Sequence, residues 1–220
     1  MEINDYVLPI VLEYKERGWT EKTVKCLKAA GFELEPQNFA DREGVGSMSK
    51  AFNERMRFHL QFKNPPFIWF LTNITFEPHV PHKLLEYMQS AYTTAAIHPG
   101  FNSDHPHIRQ GQLLRDVPFV EWTAPFIRMS ALEDVGLLDE QMPYVGFDID
   151  WSYRAKQFGW ILAADGVNRV EHTYLYRHAP ERISEIRASL RTVYLQSTYD
   201  RLAQKWGDNW MEKLCVSKTC

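Results

Sequence analysis

The chain has 220 residues, 45% of them hydrophobic and 24% charged, with a formal net charge of −3. That length carries one well-cored domain and leaves little for a second. The mild acidity excludes a broad electrostatic footprint for nucleic acid. Cys26, Cys215 and Cys220 contain no CxxC pair and form no disulfide framework, which suits a reducing compartment. The N-terminal apolar run is about seven residues between acidic flanks, too short and wrongly flanked for a signal peptide or a membrane span. A cytoplasmic protein without a membrane span is expected.

Taken in chain order, "YVLPIVLEY" (6–14) is a continuous apolar run that predicts a strand buried on both faces. A helix follows from Thr20, with Val24, Leu27 and Ala30 on one face and Gly31 as its stop. "FELEPQNF" (32–39) predicts a weaker second strand. "DREGVGSMSKAFNERMRFHLQF" is a glycine-rich loop feeding a helix, and "PPFIWFLTNITF" contains a third strand announced by prolines. "VPHKLLEYMQSA" predicts a helix, and "TTAAIHPGFN" a short strand. Such alternation implies parallel strands with helical crossovers, an α/β open sheet. The rhythm then breaks at "HPHIRQGQLLRDVPFVEWTAPFIRMS", where irregular or antiparallel strands are expected. A short helix at "SALEDVG", a helix at "DWSYRAKQFG", a strand at "WILAADGVNRVEH" and a long amphipathic helical tail complete the chain.

Ligands of open α/β sheets bind beyond the carboxyl ends of the strands. Gly44 and Gly46, with Ser47, Ser49 and Lys50 nearby, could let backbone approach a phosphate or ribose, although a GxG before a helix is also an ordinary turn. In "YVGFDIDWSYR", Asp148 or Asp150 would cap a helix and oppose its dipole. An aspartate crowded by Phe147, Trp151 and Tyr153 can also hold a raised pKa and accept a proton from a hydroxyl. His172 ends a strand and is either structural or a ligand. His105 and His107 have HxH spacing with no third ligand nearby in sequence.

The stretch "FIRMSALEDVGLLDEQMPYVGFDIDWSYRAKQFGWILAADGVNRVEH" resembles the C-terminal part of family 2 glycosyltransferases of the GT-A fold. The resemblance covers about residues 5 to 178 and is specific from 126 to 172. It implies a single GT-A-like, Rossmann-like α/β domain over 1–178, with a mostly parallel mixed sheet flanked by helices. A C-terminal helical extension over 179–220 would pack on it or form a homodimer. By position, Asp148 matches the family's catalytic base, Asp150 the second acid of that motif, and Arg154 the arginine one turn on, where an (i, i+4) ion pair would orient Asp150. His172 matches the histidine that completes the metal site in many members, with Asp150 as its weak companion here.

One departure concerns "LTNITF", where Thr72, Asn73, Ile74 and Thr75 stand in place of the metal-binding DxD acids. The resemblance implies a divalent cation, manganese or magnesium; the missing acids argue against it. Phe147 replaces the glutamate usual before the base. Donor-side candidates are Glu13, Asn38, Gly44, Lys50, Asn73 and Thr75; acceptor-side candidates are Glu121, Trp122, Asp150 and Trp151. The implied activity moves a sugar from a nucleotide-sugar donor to a glycan or other acceptor hydroxyl, with inversion. The alternative is a degenerate module that binds nucleotide or glycan or scaffolds a partner, and a metal-dependent hydrolase built on the HxH pair is a third reading.

Overall fold

The computed structural model describes residues 2–13, 18–62, 65–72, 74–101, 111–172 and 195–214. Its strands are β1 (Val7–Glu13), β2 (Phe39–Asp41), β3 (Phe67–Leu71), β4 (Ile74–Phe76), β5 (Thr94–Phe101), β6 (Leu113–Arg115), β7 (Phe126–Arg128) and β8 (Ile161–His172). The helices are α1 (Trp19–Ala29), α2 (Arg42–Val45), α3 (Met48–Leu60), α4 (Val80–Ser90), α5 (Met129–Val135), α6 (Phe147–Gln157), α7 (Gln196–Trp206) and α8 (Trp210–Leu214). All eight strands join one sheet in the order β2-β1-β3-β7-β5-β8-β4, with β6 also on β8. The longest ladders, β1 with β3 and β5 with β8, are parallel. Strand β7 runs antiparallel between β3 and β5, where the alternation broke in the sequence.

The apolar runs explain the middle of the sheet. Every residue of β3 and β5 is buried, as strands covered on both faces must be. Trp69 and Phe70 of β3 are fully buried, as are Phe126, Phe52 and Trp151, and each such phenylalanine contributes roughly 1.5–3 kcal/mol.

Three local expectations are corrected. The segment 32–39 pairs only from Phe39, because Pro36 opens a 3-10 turn (Pro36–Asn38) and offers no N–H to a ladder. Helix α1 begins one residue before Thr20, with Gly18 at the N-cap in the left-handed region. "FIWFLTNITF" forms two strands. β3 lies in the middle of the sheet, whereas β4 pairs antiparallel with the far end of β8, Ile74 opposite His172. The end of β8 therefore meets the carboxyl end of β3. The expected boundary at 178/179 lies outside the described residues. Among the described residues, no helix is long and apolar enough to cross a membrane.

Candidate active site

Parallel pairing brings Glu13, Asp41 and the segment leaving Leu71 to one edge of the sheet. Glu13 lies opposite Asp41, and Val11 opposite Leu71. The segment before β7 is laid along the same edge. Thr72 donates its amide to the Thr123 carbonyl at 3.0 Å and its hydroxyl to the same oxygen at 3.1 Å. Farther along that segment, the Val120 amide donates to Ser152 Oγ at 3.1 Å. Ser152 lies one turn beyond Asp148 on α6, so Glu121 comes to the face that carries Asp148.

Neither aspartate caps α6. Gly146 is the N-cap, at φ 84°. A Cβ there would be strained and would meet the Thr198 methyl. Asp148 follows in the first turn, and its Oδ1 accepts from the Ile149 amide at 2.9 Å. Burial of the carboxyl, and then the nearby Glu121 charge, push it up to about 7, against the pull of the Ile149, Asp148 and Gly146 amides. A carboxyl poised near neutrality is suited to accept a proton from a hydroxyl.

Asp150, two residues on, is 0% exposed and fully engaged. Its Oδ2 accepts from Arg154 Nε at 3.1 Å, the ion pair that the (i, i+4) spacing predicts. Its Oδ1 accepts from Trp206 Nε1 at 3.0 Å and lies 2.6 Å from Lys205 Nζ. Arg154 also donates to the Val135 and Leu137 carbonyls. Asp150 is thus a buried ionic anchor, and its oxygens are already committed to cations and an indole rather than turned to a metal or an acceptor.

The aromatic acceptor-side candidates are core residues. Trp151 is fully buried, with Nε1 on the Gly136 carbonyl at 3.1 Å. Trp122 is 3% exposed, packed between Phe70 and Phe52 and edge-on to Phe147 and Trp151. Neither offers a ring face to a sugar. Glu121 remains partly exposed beside Asp148.

On the donor side, Asn38 is buried and spent. Its Nδ2 donates to the Pro9 carbonyl at 2.8 Å, and its Oδ1 accepts from the Glu35 amide. The glycine-rich loop is also closed by the protein itself. Gly44 N donates to Asp41 Oδ1 at 2.8 Å, and the amides of Met48 and Ser49 donate to the Pro143 carbonyl at 2.9 and 3.3 Å. Ser47 Oγ also reaches that carbonyl, and Tyr144 Oη donates to the Gly46 carbonyl at 2.6 Å. The N-terminus of α3 therefore holds the turn before Asp148 rather than presenting those amides to a phosphate. Lys50 is exposed in its first turn. Thr75 pairs with Glu171 in β4 and lines a groove with Cys26, Glu77 and Arg169. Asn73, His105 and His107 lie outside the described residues, and of His172 only the backbone is described, beside Ile74.

For a divalent cation the described residues are a poor fit. They contain no group of three His, Cys, Asp or Glu able to hold one. Thr72, which leaves β3, turns its hydroxyl into the protein. Sequence reasoning missed Lys205 and Trp206, because nothing in a helical tail marks which acid it will meet.

Comparison with solved structures shows what this architecture is. The sequence matches no family model and no curated protein. The fold resembles that of S. aureus TarS 1-349, with a TM-score of 0.55 at 12% identity over 85% of this chain and 64% of that one. It also resembles GalNAc-T7 crystallised with UDP, GalNAc and Mn2+, with a TM-score of 0.53 at 13% identity over 79% of this chain and 45% of that one. Both are GT-A-type glycosyltransferases, and the chain has a GT-A-like glycosyltransferase fold. It spans less than two thirds of the length of either structure.

Proposed function

We propose that the protein is a glycosyltransferase that moves a sugar from a nucleotide-sugar donor to an acceptor hydroxyl, with inversion, and that Asp148 is its general base. The single observation that carries this reading is a carboxyl raised to about 7 on the first turn of α6, beside Glu121, at the strand-end edge of a GT-A-like sheet. In the proposed step the Asp148 carboxylate takes the acceptor proton as that oxygen bonds to the anomeric carbon. The bond from that carbon to the diphosphate breaks, and nucleoside diphosphate leaves with the electron pair. Glu121 lies on the acceptor side and keeps the base from ionising too early. Glu13, Lys50, Thr75 and Asn73 are the donor-side candidates that remain.

The test begins with thermal stability against a panel of nucleoside diphosphates and their sugars, each with manganese and with chelator. A ligand at a hundred times its Kd adds about 2.7 kcal/mol. Transfer from the stabilising donor is then compared in Asp148→Asn, where we expect a loss of about 10²–10⁴-fold with the donor-induced stabilisation kept. Unchanged transfer in that variant would remove Asp148 from the chemistry. A chain that binds nucleotide and never transfers would be the degenerate module instead.

A further inference from the structure

The stretch that resembles a glycosyltransferase ends near residue 178, yet α7 sends three side chains to the turn that bears Asp148. Lys205 Nζ bridges two acids, 2.6 Å from Asp150 Oδ1 and 3.0 Å from Asp139 Oδ2. Trp206 Nε1 donates to the same Asp150 oxygen at 3.0 Å, while its ring packs on Tyr153 with centroids 4.3 Å apart. Thr198 Oγ1 donates to the Val145 carbonyl at 3.2 Å, and its methyl fills the space that a side chain at Gly146 would need. Arg201 adds a second cation on Asp139 at 3.1 Å. Burial pushes the Asp139 carboxyl up, but the Gln141 amide, Lys205 and Arg201 outweigh it and hold it below its usual range.

Asp148 sits between these attachment points, three residues after Val145 and two before Asp150. The first turn of a helix has amides without intrahelical partners and frays unless something holds it. A buried carboxylate is held in place only while its partners remain, because losing one leaves uncompensated charge in a dry site. Hydrophobic contact alone, through Leu202 and the Trp206 ring, would seat α7 without selecting Asp150.

We propose that Lys205 and Trp206 are positioning residues for Asp148: by gripping Asp150 from the C-terminal helix, they hold the α6 turn so that the Asp148 carboxyl stays beside Glu121. The catalytic half of the proposal rests on the reading of Asp148 as base.

The test uses the full chain with aspartate labelled with carbon-13 at the carboxyl group, the Asp148 resonance being the one lost in Asp148→Asn. Trp206→Phe keeps a ring on Tyr153 and removes only the N–H, and Lys205→Met keeps the stem and removes the ammonium. In Trp206→Phe, shown to be folded by its melting curve, the Asp148 titration midpoint should fall by about one pH unit as the turn loosens toward water; in Lys205→Met the lost ammonium opposes that fall, so the midpoint there should lie above that of Trp206→Phe. Transfer should drop about a hundredfold with donor KM unchanged. Lys205→Arg, which keeps the cation, should restore both. A midpoint that stays at its wild-type value in folded Trp206→Phe overturns the proposal. If Lys205→Met does not fold, Trp206→Phe decides alone. The two readings fail separately: an active Asp148→Asn defeats the base and leaves the titration result standing, whereas an unmoved midpoint with an inactive Asp148→Asn defeats only the positioning role.

Discussion

Two turns meet at the carboxyl edge of the sheet, and they are built in opposite ways. The turn entering α6 and the helix behind it are gripped from several sides: by the start of α3 through Pro143, by the segment before β7 through Val120 on Ser152, and by α7 through Asp150 and Val145. It keeps two acids in unlike surroundings, one pushed toward neutrality and one locked among cations. The turn leaving β3 has a threonine where the resemblance expects an acid, held by two bonds to a single carbonyl. Under the proposed function the acceptor side is thus elaborated and the donor side pared down. The contrast shows that one sheet edge can hold a tightly braced turn beside a lightly held one.

The strongest way to break this comparison is Asp150→Ala. It strands Lys205 and Arg154 without their shared partner and should cost about 3–5 kcal/mol, read from the urea midpoint. A cost near zero would mean that the grip on the α6 turn is not energetic. Next comes a change of opposite sign. Asp148 is raised, so the folded state holds its proton where the unfolded chain has lost it. Stability therefore falls as pH climbs through the window from about 4 to about 7, and the whole cost is present above it. Asp148→Asn removes that cost. It should be more stable than wild type at pH 8 by on the order of 4 kcal/mol and equal to it at pH 4, as denaturation at the two pH values would show.

Glu121→Gln tests the smaller of the two causes behind that raised carboxyl. The acid limb of the transfer–pH profile should move down by up to about one pH unit, with burial still holding the midpoint above that of a free aspartate. A limb that does not move would separate Glu121 from the base. The smallest effect belongs to the other turn. Thr72→Val removes one buried hydroxyl bond and should cost about 1 kcal/mol, well short of Asp150→Ala. Equal costs in the two denaturation series would erase the contrast drawn above.

Much of the fold was legible because its signals are local. The run at β1, the alternation with α1, α3 and α4, and the break at β7 follow from apolar periodicity and turn residues. Pro36 shows where local reading went wrong: the apolar pattern of 32–39 suggested a strand, and a ring without an N–H opens a 3-10 turn at Pro36–Asn38 that leaves only Phe39 to pair. The site was legible in part. The Asp150–Arg154 pair follows from (i, i+4) spacing on one helix, whereas Asp148 was marked by the resemblance. Trp122 and Trp151 did not, since an aromatic beside an acid looks the same in sequence whether it faces a cleft or the core.

Residue type and spacing along the chain were enough for the α/β class, for the helix that follows the two aspartates, though it starts three residues earlier than its expected first residue, Asp150, and for the absence of acids at residues 72 to 75. Each is a matter of residue type at short spacing, which the backbone converts directly into a face or a turn. Only the tertiary structure decided which of two neighbouring aspartates is raised and which is locked. That choice turns on burial first, then on Glu121 and Lys205, which lie far from them along the chain. Burial and the identity of a charged partner depend on which segments pack together, and no local pattern of residues encodes that.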